Sequence, residues 1–323
     1  MKMKFRIITA ILLFSGFYTI SFSQVTDAEK TLRTQQADSI QGWKKGGVFA
    51  INLAQTSLTN WAAGGQNSFA VNGFLSTYAN YKRDKSVWVN TLDLGYGVLK
   101  QGNTDYRKTD DKIDFLSKYG YEAFKSFYYA ALFNFKTQIT TGYKYTDTGT
   151  TTTKETISDS FSPAYLLLAL GLDYKPTDHF SAFIAPLTGK LTLVTNKQLS
   201  EQGAFGVKPG QKSLSEFGGY FRVIYTRNDF KNEFLKNVTF TTKIDLFSNY
   251  LKNPQNVVVN WETLIAFKVN KFISANINTQ LVYDDKIKIP VIRNGEAASI
   301  GSLVQFKEIL GVGFAYTFQS YNK

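Results

Sequence analysis

The stretch Phe133–Thr140, FNFKTQIT, decides the fold because apolar and polar side chains alternate along it. The odd-numbered positions carry Phe133 and Phe135, and the even-numbered positions carry Asn134 and Lys136. We call the first set of alternate positions the apolar parity and the second the polar parity. In a β-strand, successive side chains point to opposite faces of the sheet. The stretch therefore predicts a strand with one apolar face and one wet face that includes a lysine.

The same alternation recurs in about twelve segments, many of them 12 to 17 residues long. Strands of soluble domains cluster near five or six residues, whereas a tilted membrane strand needs about nine to eleven. The length of these segments therefore favours membrane strands. The predicted strands are 47–55, 67–81, 86–100, 111–122, 127–143, 163–174, 179–194, 216–226, 237–250, 256–268, 272–284 and 302–318.

The connections between these segments alternate in length. Short turns such as KRDK at 82–85 are followed by longer polar loops such as TDTGTTTTKETISDS at 146–160. Short turns at one end and long loops at the other are typical of outer-membrane barrels. We predict an all-β, transmembrane, antiparallel up-and-down β-barrel of about 12 strands, with the apolar parity facing lipid. The alternative is a soluble two-sheet sandwich whose apolar faces form a core.

Aromatic residues on the apolar parity crowd toward the short-turn end of the segments. Such placement predicts an aromatic girdle at a membrane interface, whereas the core of a sandwich would not concentrate aromatics at one end. The residues are Tyr81, Tyr121, Tyr129, Tyr174, Phe180, Tyr225, Phe267 and Tyr316.

The N-terminal region has the layout of a secretory signal peptide, since three cations precede the apolar run Ile7–Ile20 and small residues follow it. We predict a cleaved signal at 1–23, a polar periplasmic tail at 24–44 and the outer-membrane barrel at 45–323. A permanent membrane anchor is the alternative, and the short run disfavours it. Together with the predicted barrel, these features predict an outer-membrane location.

Composition excludes several classes of protein. The chain has no cysteine, which excludes a disulfide scaffold and a cysteine-ligated metal site. Its formal net charge is +12, but no Lys/Arg-rich block stands out, so no nucleic-acid partner is expected.

The polar parity predicts the lining of the lumen. Acidic and basic residues are nearly equal in number on this parity, which predicts weak ion selectivity. Two charged residues, Lys100 and Glu308, fall on the apolar parity instead, and the alternation does not explain them. The predicted lumen-lining residues are Asp93, Asp114, Lys118, Asn134, Lys136, Gln138, Arg222, Lys243, Asp245, Glu262, Lys268 and Gln280.

Several motifs fall at the predicted long-loop rim. The carboxylate pairs Asp110–Asp111 and Asp284–Asp285 are each flanked by lysine, so we expect rim salt bridges rather than a calcium site. The motif NWAAGG contains Asn60, Trp61, Gly64 and Gly65. It is interpreted either as a rigid cap on the barrel or as a plug or ligand platform in its mouth.

Four short motifs occur along the chain in the order NWAAGG (60–65), KTDDK (108–112), SPAY (162–165) and YDD (283–285). Together with SKYGY and FKTQ, they resemble the uncharacterised exported Bacteroidetes proteins called domain of unknown function 3078. The resemblance implies a Gram-negative outer-membrane location and a barrel. It implies no activity, so no functional residue is transferred.

Two functions fit this barrel. The first is passage or binding of a small solute or a hydrophobic, lipid-like ligand, because twelve strands lie between filled eight-strand barrels and open porins. The second is a non-enzymatic accessory barrel for assembly, secretion or surface attachment, with partner proteins at the rim. Outer-membrane lipid is a partner in both. Enzymatic activity, a cofactor and a metal are not expected, since the single histidine, His179, lies in a predicted short turn.

Overall fold

The computed structural model describes residues 41–59, 66–147, 152–177, 179–233, 235–268, 273–293 and 296–322. Within these ranges the chain forms sixteen strands and a short helix, α1 (Lys197–Glu201), followed by a 3-10 turn. The strands are β1 (Gly42–Thr56), β2 (Ser68–Arg83), β3 (Ser86–Gln101), β4 (Arg107–Phe124), β5 (Phe127–Thr137), β6 (Gly142–Asp147), β7 (Thr152–Ser158), β8 (Ala164–Thr177), β9 (Phe180–Leu193), β10 (Ser213–Arg227), β11 (Val238–Asn249), β12 (Val258–Lys268), β13 (Ile273–Tyr283), β14 (Ile289–Arg293), β15 (Glu296–Gly301) and β16 (Gln305–Asn322). No helix in these ranges is long and apolar enough to cross a bilayer.

Twelve of the described strands close into one antiparallel barrel. The order around the ring is β1-β16-β13-β12-β11-β10-β9-β8-β5-β4-β3-β2, and β2 returns to β1. The remaining strands form two hairpins, β6–β7 and β14–β15, inside long connections. The predicted antiparallel up-and-down barrel of about 12 strands is confirmed, and the closed ring excludes a two-sheet sandwich.

The outer wall of the barrel is apolar. Along β8, Leu168, Leu170 and Leu172 are 58%, 49% and 41% exposed, whereas the intervening Ala169 and the following Asp173 are buried. A soluble protein would not present such a continuous apolar face to water, because its exposure is unfavourable. Hydrocarbon solvates this face, and closure pairs the strand edges, so the barrel is transmembrane.

Aromatic clusters lie on the outer wall at the short-turn end. The ring centroid of Trp43 is 5.1 Å from that of Tyr81 and 5.8 Å from that of Trp88. On the far side of β4, Phe127 stacks on Phe124 at 4.6 Å and on Tyr174 at 4.5 Å. These clusters form a girdle of the kind that marks a membrane interface.

Several strand limits differ from those predicted. β1 begins at Gly42, so residues 42–44, which were assigned to the N-terminal tail, pair with β2 and β16. β5 ends at Thr137 rather than at residue 143. The loop predicted at 146–160 contains most of the β6–β7 hairpin.

Side-chain hydrogen bonds end β5 early. The carboxylate of Asp111 accepts the backbone N–H groups of Ile139 and Thr140, at 2.7 and 2.9 Å. The Gln138 side-chain amide donates to the carbonyls of Asp159 and Ser162, at 2.9 and 3.0 Å. Because these groups bond to side chains and loop carbonyls, they do not continue the sheet ladder.

A β-bulge in β9 changes which side chains face inward. The register with β10 jumps between Ala185 and Thr188, and Pro186 and Leu187 both point outward. Proline is tolerated at a bulge because the extra residue leaves the ladder. After the bulge the even-numbered residues face inward, which brings Lys190 into the lumen.

Candidate functional site

Charged side chains from opposite walls meet inside the barrel. The Lys112 ammonium on β4 lies 3.7 Å from the Glu262 carboxylate on β12. These two strands are six places apart in the ring of twelve, so the contact crosses the lumen. Lys243 on β11 also pairs with Glu262, at 2.9 Å. We call the group to which these residues belong the mid-lumen network: Lys112, Asp114, Lys136, Arg222, Lys243, Asp245 and Glu262.

The rest of the mid-lumen network combines ion pairs of 3.5 Å with shorter hydrogen bonds from neutral donors. Asp114 lies 3.5 Å from the Lys136 ammonium and accepts the Asn134 amide at 2.7 Å. Asp245 lies 3.5 Å from Arg222 and accepts the Tyr220 hydroxyl at 2.6 Å. Low dielectric strengthens such a network only when its members are paired, and here both carboxylates have a cation and a neutral donor.

Two amide side chains extend this network toward β13. The Asn260 amide donates to Glu262 at 3.0 Å, and the Gln280 amide donates to the Asn260 oxygen at 2.8 Å. The amides therefore link the network to β13.

A second charged cluster lies nearer the short-turn end. Asp173 on β8 accepts from Lys118 at 2.6 Å, from Ser181 at 2.8 Å and lies 3.1 Å from Lys175. The side chains of Lys118, Asp173 and Lys175 are all less than a tenth exposed. We call Lys118, Asp173, Lys175 and Ser181 the lower network.

Apolar side chains fill the interior between the two networks. Leu116, which lies between Asp114 and Lys118 on the inner face of β4, packs with Leu132 and Phe183. Leu132 and Phe183 are at most 1% exposed. The polar parity was expected to line a wet lumen, but at this level the barrel has a dry core.

A cavity of about 240 Å³ lies between the mid-lumen network and the long-loop end. One end is polar, with Lys136, Asp245 and Gln280, and the side walls are mostly apolar. The Lys190 ammonium also reaches the cavity, 5.5 Å from the Tyr165 ring and 5.3 Å from the Phe247 ring. The apolar lining comprises Leu167, Leu246, Phe247, Val258, Val259, Val282 and Ile287.

Ion pairs also surround the outer end of the cavity. Lys190 lies 3.6 Å from Glu216 and 3.9 Å from Asp284. Lys286, in the connection after β13, lies 2.9 Å from Glu216. Burial disfavours the charge on Lys286, but the carboxylates of Asp284 and Glu216 outweigh it and raise the Lys286 pKa above the ordinary lysine value.

Most predicted lumen residues point inward. Asp93 accepts a hydrogen bond from the Ser76 hydroxyl on the neighbouring strand. Gln138 is not on the lumen wall, because it lies in the connection after β5. The side chain of Lys268 lies outside the described part of the structure. Lys175 and Lys190 are two inward cations that the predicted list did not include, and Pro186 within a strand was the signal of the bulge that turns Lys190 inward.

The two rim carboxylate pairs do not meet. Asp110 lies 3.3 Å from Lys307, and Asp111 lies 2.8 Å from Lys108. Asp284 faces Lys190 and Lys286, and Asp285 accepts the Asn256 amide at 2.9 Å. Among the described residues, no three His, Cys, Asp or Glu side chains are grouped to hold a metal. The NWAAGG residues Asn60, Trp61, Gly64 and Gly65 lie outside the described ranges.

His179 lies in the turn between β8 and β9, at the short-turn end. One ring nitrogen, Nδ1, is 3.0 Å from the Thr226 carbonyl, and Nε2 is 3.4 Å from the Asp229 carboxylate. The ring therefore ties the β8–β9 turn to the end of β10, far from the cavity.

Asp159 organises the connection between β7 and β8. Its carboxylate accepts the Asn196 amide at 2.9 Å, the Thr141 hydroxyl at 2.8 Å and the Ser160 backbone N–H at 2.9 Å. The hydrogen bond from Asn196, followed by that from Thr141, lowers the pKa of Asp159 below its ordinary value.

This connection is expected to loosen in acid. A lowered folded-state pKa contributes stability that is present above the unfolded-state value, about 3.9, and is lost as the pH falls below it. Amide exchange of the Ser160 region, corrected for the intrinsic rate, should be constant from about pH 7 to 5 and accelerate below about 4. Asp159→Asn should flatten this dependence. An unchanged acid response in that variant would contradict the assignment.

Comparison with known proteins identifies part of the chain. Residues 53–143 match the family described as Protein of unknown function (DUF3078). The predicted resemblance is confirmed over this segment, which contains NWAAGG and KTDDK but not SPAY or YDD. No curated protein matches the chain.

Solved outer-membrane proteins have a related overall shape. The translocator domain of the autotransporter NalP from Neisseria meningitidis is 11% identical, with 90% of this chain and 92% of that chain covered and a TM-score of 0.37. An outer-membrane channel from Pseudomonas putida F1 is 8% identical, with 87% and 97% covered and a TM-score of 0.39. The Pseudomonas putida toluene transporter TodX is 9% identical, with 93% and 94% covered and a TM-score of 0.33.

Proposed function

We propose that this barrel binds a small amphipathic solute in the cavity above the mid-lumen network, and that passage requires this network and the dry core below it to separate. The observation that carries the proposal is the cavity itself, whose apolar walls end at charged and amide groups. Binding sites for small molecules are typically mostly apolar, with a few polar groups that fix orientation. This cavity has that composition.

The volume of the cavity limits the size of the solute. An apolar cavity of roughly 150 Å³ accommodates benzene, so a cavity of about 240 Å³ would hold a molecule of about ten non-hydrogen atoms. A single aromatic ring with one polar substituent is of this size. Such a solute would place its ring against Phe247 and Val282 and its polar group toward Lys136 or Gln280.

The solute would enter from the long-loop side. Asp284 and Ile287, which line the cavity, belong to the connection after β13 at that end. Outer-membrane barrels have short turns on the periplasmic side and long loops outside the cell. The proposal therefore includes a Gram-negative outer membrane, export by a cleaved signal at 1–23, and uptake from the exterior.

Filling the cavity should abolish binding. Val282→Trp is expected to weaken binding of benzoate and benzyl alcohol at least tenfold, because the larger ring occupies the space the probe needs. Binding would be measured by equilibrium dialysis of the detergent-solubilised full chain against each radiolabelled probe.

A matched control separates the cavity from the lipid-facing wall. Val312 lies on the outer wall and is 59% exposed, so Val312→Trp adds the same ring outside the lumen. This variant should bind both probes as the wild type does. Absence of binding to the wild type, or equal loss in both variants, would refute the proposal.

The accessory and enzymatic roles have less support. His179 is engaged by the Thr226 carbonyl and Asp229 at the end opposite the cavity, so the proposal gives it no catalytic part. The accessory role depends on partners at the rim, where the NWAAGG residues 60–65 lie outside the described ranges. It stays a prediction.

A further inference from the structure

A second cavity opens at the long-loop rim. Its volume is about 750 Å³, and it lies between the β3–β4 turn and the β6–β7 hairpin. None of the described side chains that line it is aliphatic, and it shares no described lining residue with the cavity above the mid-lumen network. We call this space the rim cavity, and its lining includes Gln66, Asn103, Asp105, Arg107, Tyr145 and Lys154.

Hydrogen bonds fix one side of the rim cavity. In the β3–β4 turn, the Gly102 N–H donates to the Asn67 carbonyl at 2.7 Å. The Asn67 side-chain oxygen in turn accepts the Leu58 N–H at 2.6 Å. Gly102 has a φ of 56°, a conformation that favours glycine. The β1–β2 connection and the β3–β4 turn are therefore held together beside the cavity.

Two of the described lining residues are cations, and each is positioned by a tyrosine ring. The Arg107 guanidinium, at the start of β4, is 4.4 Å from the centroid of the Tyr145 ring. The Lys154 ammonium, on β7, is 5.0 Å from the centroid of the Tyr143 ring. The two rings themselves meet edge to face at 6.2 Å. A cation–π contact orients a cation without neutralising its charge, so both groups can still attract an anion.

Other polar groups of the rim cavity are available to a ligand. Within the described ranges, no hydrogen bond or ion pair engages the side chains of Gln66, Asn103 or Asp105. The two amides offer both donors and acceptors, and the carboxylate offers acceptors. A hydroxyl group can donate and accept, so a ligand with several hydroxyls would satisfy all three side chains.

The size and charge of the rim cavity narrow the class of ligand. Its volume is roughly five times the ~150 Å³ that accommodates benzene, which is enough for about three sugar rings. The lack of aliphatic side chains in its described lining disfavours an apolar solute. Arg107 and Lys154 carry two positive charges against the one negative charge of Asp105, which favours an acid.

We propose that the rim cavity binds an acidic oligosaccharide, a function separate from solute binding in the lumen. Arg107 and Lys154 pair with carboxylates of the sugar acid, and the fork of the guanidinium matches the two oxygens of a carboxylate. Gln66, Asn103 and Asp105 hydrogen-bond to the sugar hydroxyls. The ligand approaches from the long-loop side, where the cavity opens.

Three probes of similar length test the class of ligand. Trigalacturonate carries both carboxylates and hydroxyls, maltotriose carries hydroxyls alone, and the peptide triglutamate carries carboxylates without hydroxyls. Each would carry the same fluorophore, and its binding to the detergent-solubilised full chain would be measured by fluorescence polarisation. Trigalacturonate should bind at least about tenfold more tightly than either of the others, because only it engages both the cations and the amides. Absence of trigalacturonate binding, or equal binding of maltotriose or triglutamate, would overturn the proposal.

Charge-removing variants test where trigalacturonate binds. Arg107→Gln with Lys154→Gln should weaken its binding at least about tenfold, and Lys154→Gln alone at least about threefold, because charge-assisted hydrogen bonds are lost. Lys208→Gln is the matched control, since it removes an exposed cation from the β9–β10 connection at the same end, and it should bind as the wild type does.

Binding of benzoate in the same variants separates the two sites. Benzoate should bind all three as it binds the wild type, because the rim cavity and the lumen cavity share no described lining residue. Heat-modifiable gel mobility would establish that every variant is folded. Trigalacturonate binding that is insensitive to Lys154→Gln, or equally weakened by Lys208→Gln, would refute the assignment to the rim cavity whether or not benzoate binds.

Discussion

Replacing Lys112, Glu262, Leu132 and Phe183 together with alanine is expected to turn a barrel that blocks ions into one that conducts them, because both the charged contact across the lumen and the dry core below it are removed. The wild type should show no steady current, because the Lys112–Glu262 contact crosses the lumen and the side chains around it are packed. Removing Lys112 and Glu262 takes away one positive and one negative charge, so the net charge is unchanged. Single-channel recording in planar bilayers with potassium chloride would measure the difference.

An ion pair outside the lumen provides the control. Lys197 and Glu201 pair at 3.8 Å on α1, and both side chains are mostly exposed. Lys197→Ala with Glu201→Ala removes the same kinds of charge and should leave the barrel silent. Steady current through the wild type would mean that the mid-lumen network does not close the barrel, and the proposed role of this network in passage would fail.

Alternation of side chains was sufficient to predict the barrel and much of its interior. Asp114, Lys136, Asp245 and Glu262 were assigned to the lumen by parity alone, and their side chains meet there. The alternation is informative because lipid imposes an apolar outer face along the whole length of each strand.

Bulges and side-chain chemistry account for what alternation missed. The extra residue at Pro186 reverses the parity of β9. Lys190 therefore faces inward, although the alternation before the bulge assigns even-numbered positions to the outer face. Leu116 and Leu132 lie on the polar parity, yet they form part of a dry core. A closed barrel can fill its lumen with either polar or apolar groups, and parity identifies only which groups face inward.

Asp173→Ala is expected to cause the largest loss of stability. Asp173 is the carboxylate that joins Lys118, Lys175 and Ser181, and its side chain is 2% exposed. Removing one partner of a buried ion pair costs about 3–5 kcal/mol, because the remaining charge stays buried without its counter-ion. Urea unfolding in phospholipid vesicles, followed by tryptophan fluorescence, would measure the change in the free energy of unfolding.

Asp229 offers a control at the same end of the barrel. It pairs with His179 at 3.4 Å and with Arg227 at 3.6 Å, but its side chain is 56% exposed. Since exposed ion pairs contribute at most about 1 kcal/mol, Asp229→Ala should change the unfolding free energy little. Asp173→Asn should fall between the two, because it keeps a hydrogen-bond acceptor for Ser181 while losing the charge. If Asp173→Ala were as mild as Asp229→Ala, water would have to reach the lower network, and the dry core above it would be wrong.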